Sequence, residues 1–284
     1  MSSLYKSIGL ILIAMLSIQF GASVAKGLFP VAGPAGTTAL RVFISALILV
    51  LVMRPWKESY SGQRLKSLAA YGISLGFMNL LFYFALERIP LGIAVALEFT
   101  GPLAVALFSS KRALDLCWAV LAGVGIYLVL PTSEVSQALD LTGVVLALGA
   151  GAFWGLYIIF GKRVGNAEGS SSANAAVGMC FAALVTFPVG LFTNFEQVTN
   201  PSLWPMGIAI AILSSALPYS LEMKAMRDMP AKTFGILMSL EPVVATVIGI
   251  VFLRETLAPV QWAAIVCIVI ASAGSTVTAR ARGK

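Results

Sequence analysis

Apolar stretches close to 20 residues long recur along the whole chain, separated by short polar connections. A helix of about 20 apolar residues is what the hydrocarbon core of a bilayer requires. The pattern therefore predicts ten membrane-spanning helices, at 7–25, 34–53, 66–86, 91–109, 115–131, 141–161, 172–193, 203–223, 231–253 and 258–278. Several spans carry internal Gly or Pro, which membrane helices tolerate where neighbours re-satisfy the freed backbone groups. The first span, with Lys6 ahead of it and "ASVA" at 22–25, also has the outline of a cleavable leader. It is read as an uncleaved helix, because the repeat described below needs it.

Composition and charge sharpen this picture. The 284-residue chain is 59% hydrophobic and 11% charged, where a soluble domain carries roughly 25% charged residues. The fold class expected is an all-α integral membrane protein. The net charge of +7 does not point to nucleic acid, because the positive residues follow the topology. Lys6, Arg54, Lys57, Arg64, Lys66, Lys111, Arg112, Lys162, Arg163, Lys224, Arg227, Lys232, Arg280, Arg282 and Lys284 fall on one side of the ten-span arrangement. Only Lys26, Arg88 and Arg254 fall on the other, and Arg41 lies within a span. Positive loops stay cytoplasmic, so both termini are expected in the cytoplasm. Lys26, at the outer end of span one, is expected to snorkel to the interface. Cys117, Cys180 and Cys267 lie in three separate spans and read as small core residues, with no disulfide or metal spacing.

A shift of 140 residues superposes Pro90 on Pro230 and Pro102 on Pro242, and lays "ALERIP" over "AMRDMP". Two halves result, 7–131 and 138–278, of five spans each. An odd number of spans forces the halves into opposite orientations. Inverted-topology repeats with a substrate site near the midplane are a construction of secondary transporters.

The chemistry is carried by the few polar groups inside the spans, where an ionisable side chain is costly and marks a functional site by default. Glu98 lies about seven residues into span four and Glu241 about ten into span nine, roughly 10 and 15 Å deep at 1.5 Å per residue. Pro102 cannot donate to the carbonyl of residue 98, nor Pro242 to that of residue 238. Each glutamate thus sits beside a weakened turn, which suits an ammonium group or a proton that comes and goes. The competing reading is structural, with a glutamate locking helices together through Arg41 or loosened backbone. Arg41 has the same two readings, a substrate carboxylate or a glutamate partner. Span eight aligns Ser214, Pro218 and Glu222 on one face, with Glu222 near the cytoplasmic mouth. Asn79 and Tyr83 share a face of span three, Trp154 and Tyr157 a face of span six, and Gln19 lies at mid-depth in span one. These residues line a cavity or pack the bundle.

Some activities are excluded. "GLYIIFGKR" at 155–163 imitates a phosphate loop, yet has five residues between its glycines and Arg where Ser or Thr should follow Lys. Gly72/Gly76 and Gly151/Gly155 are small-residue packing faces. The chain has no histidine, so no His base, metal site or haem is expected, nor any other cofactor, and proton coupling falls to carboxylates. Without a nucleotide motif, a gradient must drive transport.

Four segments carry a specific resemblance: "PLGIAVALEFTGPLAVALFSS" (90–110), "LTGVVLALGAGAFWGLYI" (141–158), "ILSSALPYSLEM" (212–223) and "TFGILMSLEP" (233–242). Over about residues 8–278 the chain resembles the amino-acid exporters of the EamA family, within the drug/metabolite transporter superfamily. The resemblance implies a ten-helix, inverted-repeat carrier of the inner membrane. It further implies export of small neutral amino acids such as threonine and homoserine against protons, with lipid as the surrounding partner. The positions it carries over are Glu98, Glu241, Arg41, Asn79 and the pair Ser214/Ser215; Tyr219, in the same span, is a candidate cavity-lining residue. Other readings are a carrier of a different metabolite or drug, such as a purine, a lipid-linked transferase, and a passive channel or scramblase.

Overall fold

The structure is a computed structural model describing residues 2–108, 113–129, 139–165, 170–218, 221, 225, 234 and 237–278. Among the described residues the chain is mostly helical, without a strand. The helical run Ser2–Met53 is two helices, α1 (2–32) and α2 (34–53), turned against each other at Gly33 between Pro30 and Pro34. Gly33 has φ +62°, and a Cβ there would lie 2.9 Å from Asn194 Nδ2. Both its backbone and its surroundings therefore require glycine. α3 is Gly62–Arg88, starting four residues earlier than the hydrophobic pattern suggests because Ser61 caps it, accepting from the Arg64 N–H.

The fourth span is broken, as its proline predicts. Leu91–Glu98 and Thr100–Phe108 are separate helical pieces of α4 flanking Phe99. Then follow α5 (Ala113–Val129), α6 (Leu141–Gly165) and α7 (Ser171–Thr193). α8 comprises Trp204–Ala211 and a π-helical segment, Ile212–Ala216. α9 is described as Glu241–Leu253 and α10 as Pro259–Thr278. Among the described residues, five stretches are long and apolar enough to cross a membrane: Tyr5–Met53, which contains the α1–α2 turn, Gly62–Arg88, Leu141–Gly161, Ser172–Thr193 and Pro259–Thr278. Leu91–Val105, Leu116–Leu128, Pro201–Ser215 and Glu241–Leu253 are shorter apolar stretches.

The first piece of α4 sits at the centre. All eight of its residues are buried, as expected of a helix with no polar face. Leu91, Ile93, Ala94, Val95 and Leu97 join a core drawn from α1, α3, α6, α9 and α10. Close backbone approach makes this possible. A Cβ on Gly101 would stand 1.8 Å from the Gly151 carbonyl oxygen, and one on Gly92 would stand 2.0 Å from Thr246 Oγ1. A Cβ on Gly72, similarly, would stand 2.2 Å from the Gly178 carbonyl oxygen, so the glycine faces are helix contacts. Facing outward are Leu116, Val120 and Val124 on α5, and Val243, Val247 and Val251 on α9, all exposed. An outer surface as apolar as the core belongs in lipid, and the chain is a multi-pass membrane protein. Cys117 lies on that outer surface, and Cys180 and Cys267 are half-buried. The expectation of a core cysteine fails for Cys117, because apolarity does not mark the inside of a membrane protein, while Cys180 packs against a buried cluster.

Polar ties hold both ends of the bundle. At the end bearing the α3–α4 and α9–α10 connections, Lys26 donates to Glu255 at 2.7 Å and to the Ile89 carbonyl at 3.0 Å. The second oxygen of Glu255 accepts from the Leu91 N–H at 2.9 Å. Lys26 is thus anchored to protein instead of snorkelling. Nearby, Arg88 donates to Asp140 at 2.9 Å. At the opposite end, buried Arg64 donates to Glu58 and Asn174, and Glu58 also accepts from the Ser170 N–H. The Arg64 hydrogen bond, followed by that from Ser170, holds the Glu58 carboxyl below its ordinary range. Arg88 does the same for Asp140.

Two outcomes follow for stability. Gly101→Ala forces α4 and α6 apart and should cost on the order of 1–3 kcal/mol as overpacking, read as a lower thermal midpoint in detergent. Gly123→Ala, which opens on empty space, should cost nothing and can gain up to about 1 kcal/mol in helix propensity. A carboxyl whose folded pKa is depressed stabilises above its unfolded value and loses that contribution as pH falls. The stability gap between the native chain and Glu58→Gln should therefore be constant near neutrality and close below about pH 4, measured by melting at a series of pH values.

Candidate functional site

One cavity of about 520 Å³ opens among the helices, and its wall takes residues from both halves of the chain. Each acidic residue reaches it through an irregularity in its helix. Glu98 ends the buried piece of α4, and Pro102, which also lines the cavity, has no N–H to offer the Glu98 carbonyl. α6 covers the same turn, since a Cβ on Gly151 would lie 2.7 Å from that carbonyl oxygen. Glu241 opens the described part of α9, with Pro242 in its first turn. A carboxylate there meets the positive end of the helix dipole. Gln19 from α1 donates to Glu241 at 2.9 Å. Both glutamates are buried yet face the cavity.

Arg41, from α2, donates to Asn79 Oδ1 and lies over the Tyr83 ring, 4.8 Å from its centroid. Asn79 is fixed in turn by its donation to the Leu75 carbonyl at 2.8 Å. Glu98 feels both the Glu241 carboxylate, which repels it, and the Arg41 guanidinium, which attracts it. Two acids and one base therefore share a small apolar-walled space, where their fields are weakly screened.

α8 is shaped by Pro218. The Leu217 N–H bonds to the Ile212 carbonyl, five residues back, which leaves the Leu213 carbonyl without its usual helical donor. Ser17 Oγ supplies the missing hydrogen bond at 2.7 Å. Such π-helical insertions recur at functional sites, and this one carries Ser214 to the cavity wall. Gly21 permits the approach, because a Cβ there would lie 2.3 Å from Ser214 Oγ.

Of the residues singled out in the sequence, the structure gathers Gln19, Arg41, Asn79, Tyr83, Glu98, Pro102, Trp154, Tyr157, Ser214 and Glu241 around this cavity. Ser215, Pro218 and Pro242 are buried away from it. Tyr219 and Glu222 lie outside the described residues. Trp154 stands edge-on to Phe99 at 4.9 Å, and Tyr157 stacks on Tyr71 at 4.7 Å. Sequence reasoning missed Met238, Ser272, Ser275 and Thr276 in the wall. The last three form an i, i+3, i+4 polar stripe on α10 that the helical period would have shown. Among the described residues no cluster of His, Cys, Asp or Glu suits a metal.

Comparison with known proteins agrees with this architecture. The model of the EamA-like transporter family matches residues 141–277. The threonine/homoserine exporter RhtA of Escherichia coli K12 is 50% identical over 275 residues, 97% of this chain and 92% of that one. Its namesake in Salmonella typhimurium LT2 is 50% identical over 270 residues, 95% and 91% of the two chains. The uncharacterized transporter YwfM of Bacillus subtilis is 29% identical over 154 residues, about half of each chain. A solved crystal structure shares the fold at a TM-score of 0.56 and 18% identity, covering 97% of this chain and 98% of the other. These relatives carry the names of exporters and a transporter. With half its positions shared over nearly its whole length, the chain belongs to the EamA-like transporter family.

Proposed function

We propose that this EamA-type exporter moves small neutral amino acids, threonine and homoserine among them, out across the inner membrane in exchange for protons. The observation that carries the reading is 50% identity, over 97% of the chain, to a threonine/homoserine exporter. The cavity supports it, since Glu98 and Glu241 offer acceptors for an ammonium group from opposite halves of the chain. The scaffold proposed is two inverted five-helix repeats, 7–131 and 138–278, with both termini cytoplasmic. In favour of this, Met238, the position that a 140-residue shift lays on Glu98, lines the same cavity.

Charge counting suggests how exchange would work. Glu98, Glu241 and Arg41 sum to one negative charge when all are ionised, and to zero when one proton is bound. An incoming ammonium group and a proton then compete for the same oxygens. Each displaces the other, which is the minimum an antiporter needs. Energy stored in the proton gradient is spent only if the reorienting protein carries one or the other.

A second reading keeps the class and changes the cargo. A cavity of about 520 Å³ walled by Phe82, Phe99, Trp154 and Tyr157 has room for a flat ring such as a purine.

Labelled threonine counterflow in proteoliposomes, with and without an imposed pH gradient, tests the proposal. Saturable counterflow that accelerates with the gradient is the expected result. Glu98→Gln and Glu241→Gln keep side-chain shape and remove the charge, so each should lower flux by about tenfold or more, as loss of a charge-assisted hydrogen bond does. Unchanged flux in both variants removes the carboxylates from the mechanism. Failure of threonine and homoserine to compete with a purine substrate transfers the assignment to the second reading.

A further inference from the structure

Three hydrogen-bonding atoms in the cavity wall are enclosed yet have no partner among the described residues: Arg41 Nε, Tyr83 Oη and Ser214 Oγ. Arg41 is 7% exposed and Tyr83 2% exposed, so water outside the cavity does not serve them. They come from α2, α3 and α8, yet they are neighbours. The guanidinium lies on the Tyr83 ring, and all three residues line the same cavity. Buried donors left unmade are expensive, and a native structure with several in one place calls for an explanation.

Their chemistry leans toward donation. The Arg41 Nε–H can only donate, and both hydroxyls have a proton to give. The nearby acceptor, Asn79 Oδ1, is already taken by the other face of the Arg41 fork. Asn79 is itself held by its hydrogen bond to Leu75, so the guanidinium is fixed in place before any ligand arrives. A water molecule has only two lone pairs to offer these three protons. A carboxylate brings no proton, and its two oxygens offer about four lone-pair sites to the three donors.

We propose that Arg41, Tyr83 and Ser214 form a preorganised cradle for the substrate's carboxylate. The substrate therefore lies with that end toward α2, α3 and α8, and with its ammonium group toward Glu98 and Glu241. The cradle selects for a free α-carboxylate and rejects the corresponding amides, esters and amino alcohols. A site built to pair a polar group discriminates strongly against analogues that leave its own groups unpaired. The cradle deepens the amino-acid reading above and relies on it only for the identity of the cargo.

The test uses the full chain purified into nanodiscs, with binding followed by the fluorescence of Trp154 and the other tryptophans. Threonine, homoserine and lactate are titrated beside their amides and alcohols, and threonine and homoserine flux is measured in parallel. Threonine should bind at least about tenfold more tightly than threoninamide or threoninol. Tyr83→Phe, which keeps the ring under Arg41, and Ser214→Ala should each weaken threonine binding by about tenfold while leaving the amide unchanged, as expected for one lost hydrogen bond to a charged ligand. Equal binding of acid and amide by the native chain overturns the cradle, as does a preference that survives in both variants. In either case, intact threonine flux leaves the export reading standing. A preference for carboxylates without flux of threonine or homoserine supports the cradle and overturns amino-acid export. No binding of any acid overturns both.

Discussion

Two carboxylates and a guanidinium inside a bundle solvated by lipid set the terms for everything around them. An unpaired charge in such a medium costs far more than the helix it sits on can supply, so the fold must give each one a partner or a wet space. Here it gives both. Arg41 has Asn79 and the Tyr83 ring, Glu241 has Gln19, and all of them, with Glu98, face one cavity. The cavity is in turn possible only because the helices around it are interrupted. α4 loosens at Phe99, α8 widens into a π-turn, and the described part of α9 begins at Glu241 itself. Backbone groups freed at these places are kept from lipid by close neighbours, such as Ser17 on the Leu213 carbonyl and α6 over the Glu98 carbonyl.

Glycine provides the closeness that this requires. Gly101 against Gly151, Gly92 against Thr246, and Gly21 against Ser214 each bring a helix to the cavity's edge at a separation no side chain allows. Between lipid-solvated helices hydrophobicity provides no net drive, and dispersion at short range does the work. The positions that make the bundle compact therefore also shape the site. A change in packing at Gly101 is felt one turn away, at Glu98.

Much of this was legible in the chain. The helices follow from lengths of apolar run, and the loosened turn at Glu98 follows from Pro102. Ten residues chosen for being polar, aromatic or proline within a span do meet around one cavity. What stayed hidden has physical causes. Ser215 was named with Ser214, but the π-turn sends only Ser214 to the wall, and no periodicity announces a π-turn. Lys26 was expected at the lipid interface, because its partners, Glu255 and the Ile89 carbonyl, are 229 and 63 residues away in sequence. Cys117 was placed inside on the assumption that apolar surroundings mean the interior, which holds in water and fails in lipid. The α10 stripe of Ser272, Ser275 and Thr276 was readable and overlooked, since small hydroxyl side chains pass easily for helix packing.

The tie between Lys26 and Glu255 joins the first helix to the α9–α10 connection at the membrane's edge, where the two side chains are 22% and 12% exposed. That position makes it unlike the polar contacts deeper in the bundle. Mobile ions weaken attraction between charges that the medium can reach, over a distance that shortens as salt rises. The charged part of this tie therefore slackens as ionic strength rises, whereas the Lys26 bond to the Ile89 carbonyl and the Leu91 bond to Glu255 keep their hold. One end of the molecule thus has a stiffness set partly by the salinity of its surroundings, while the geometry around Glu98 and Arg41 is insulated from it.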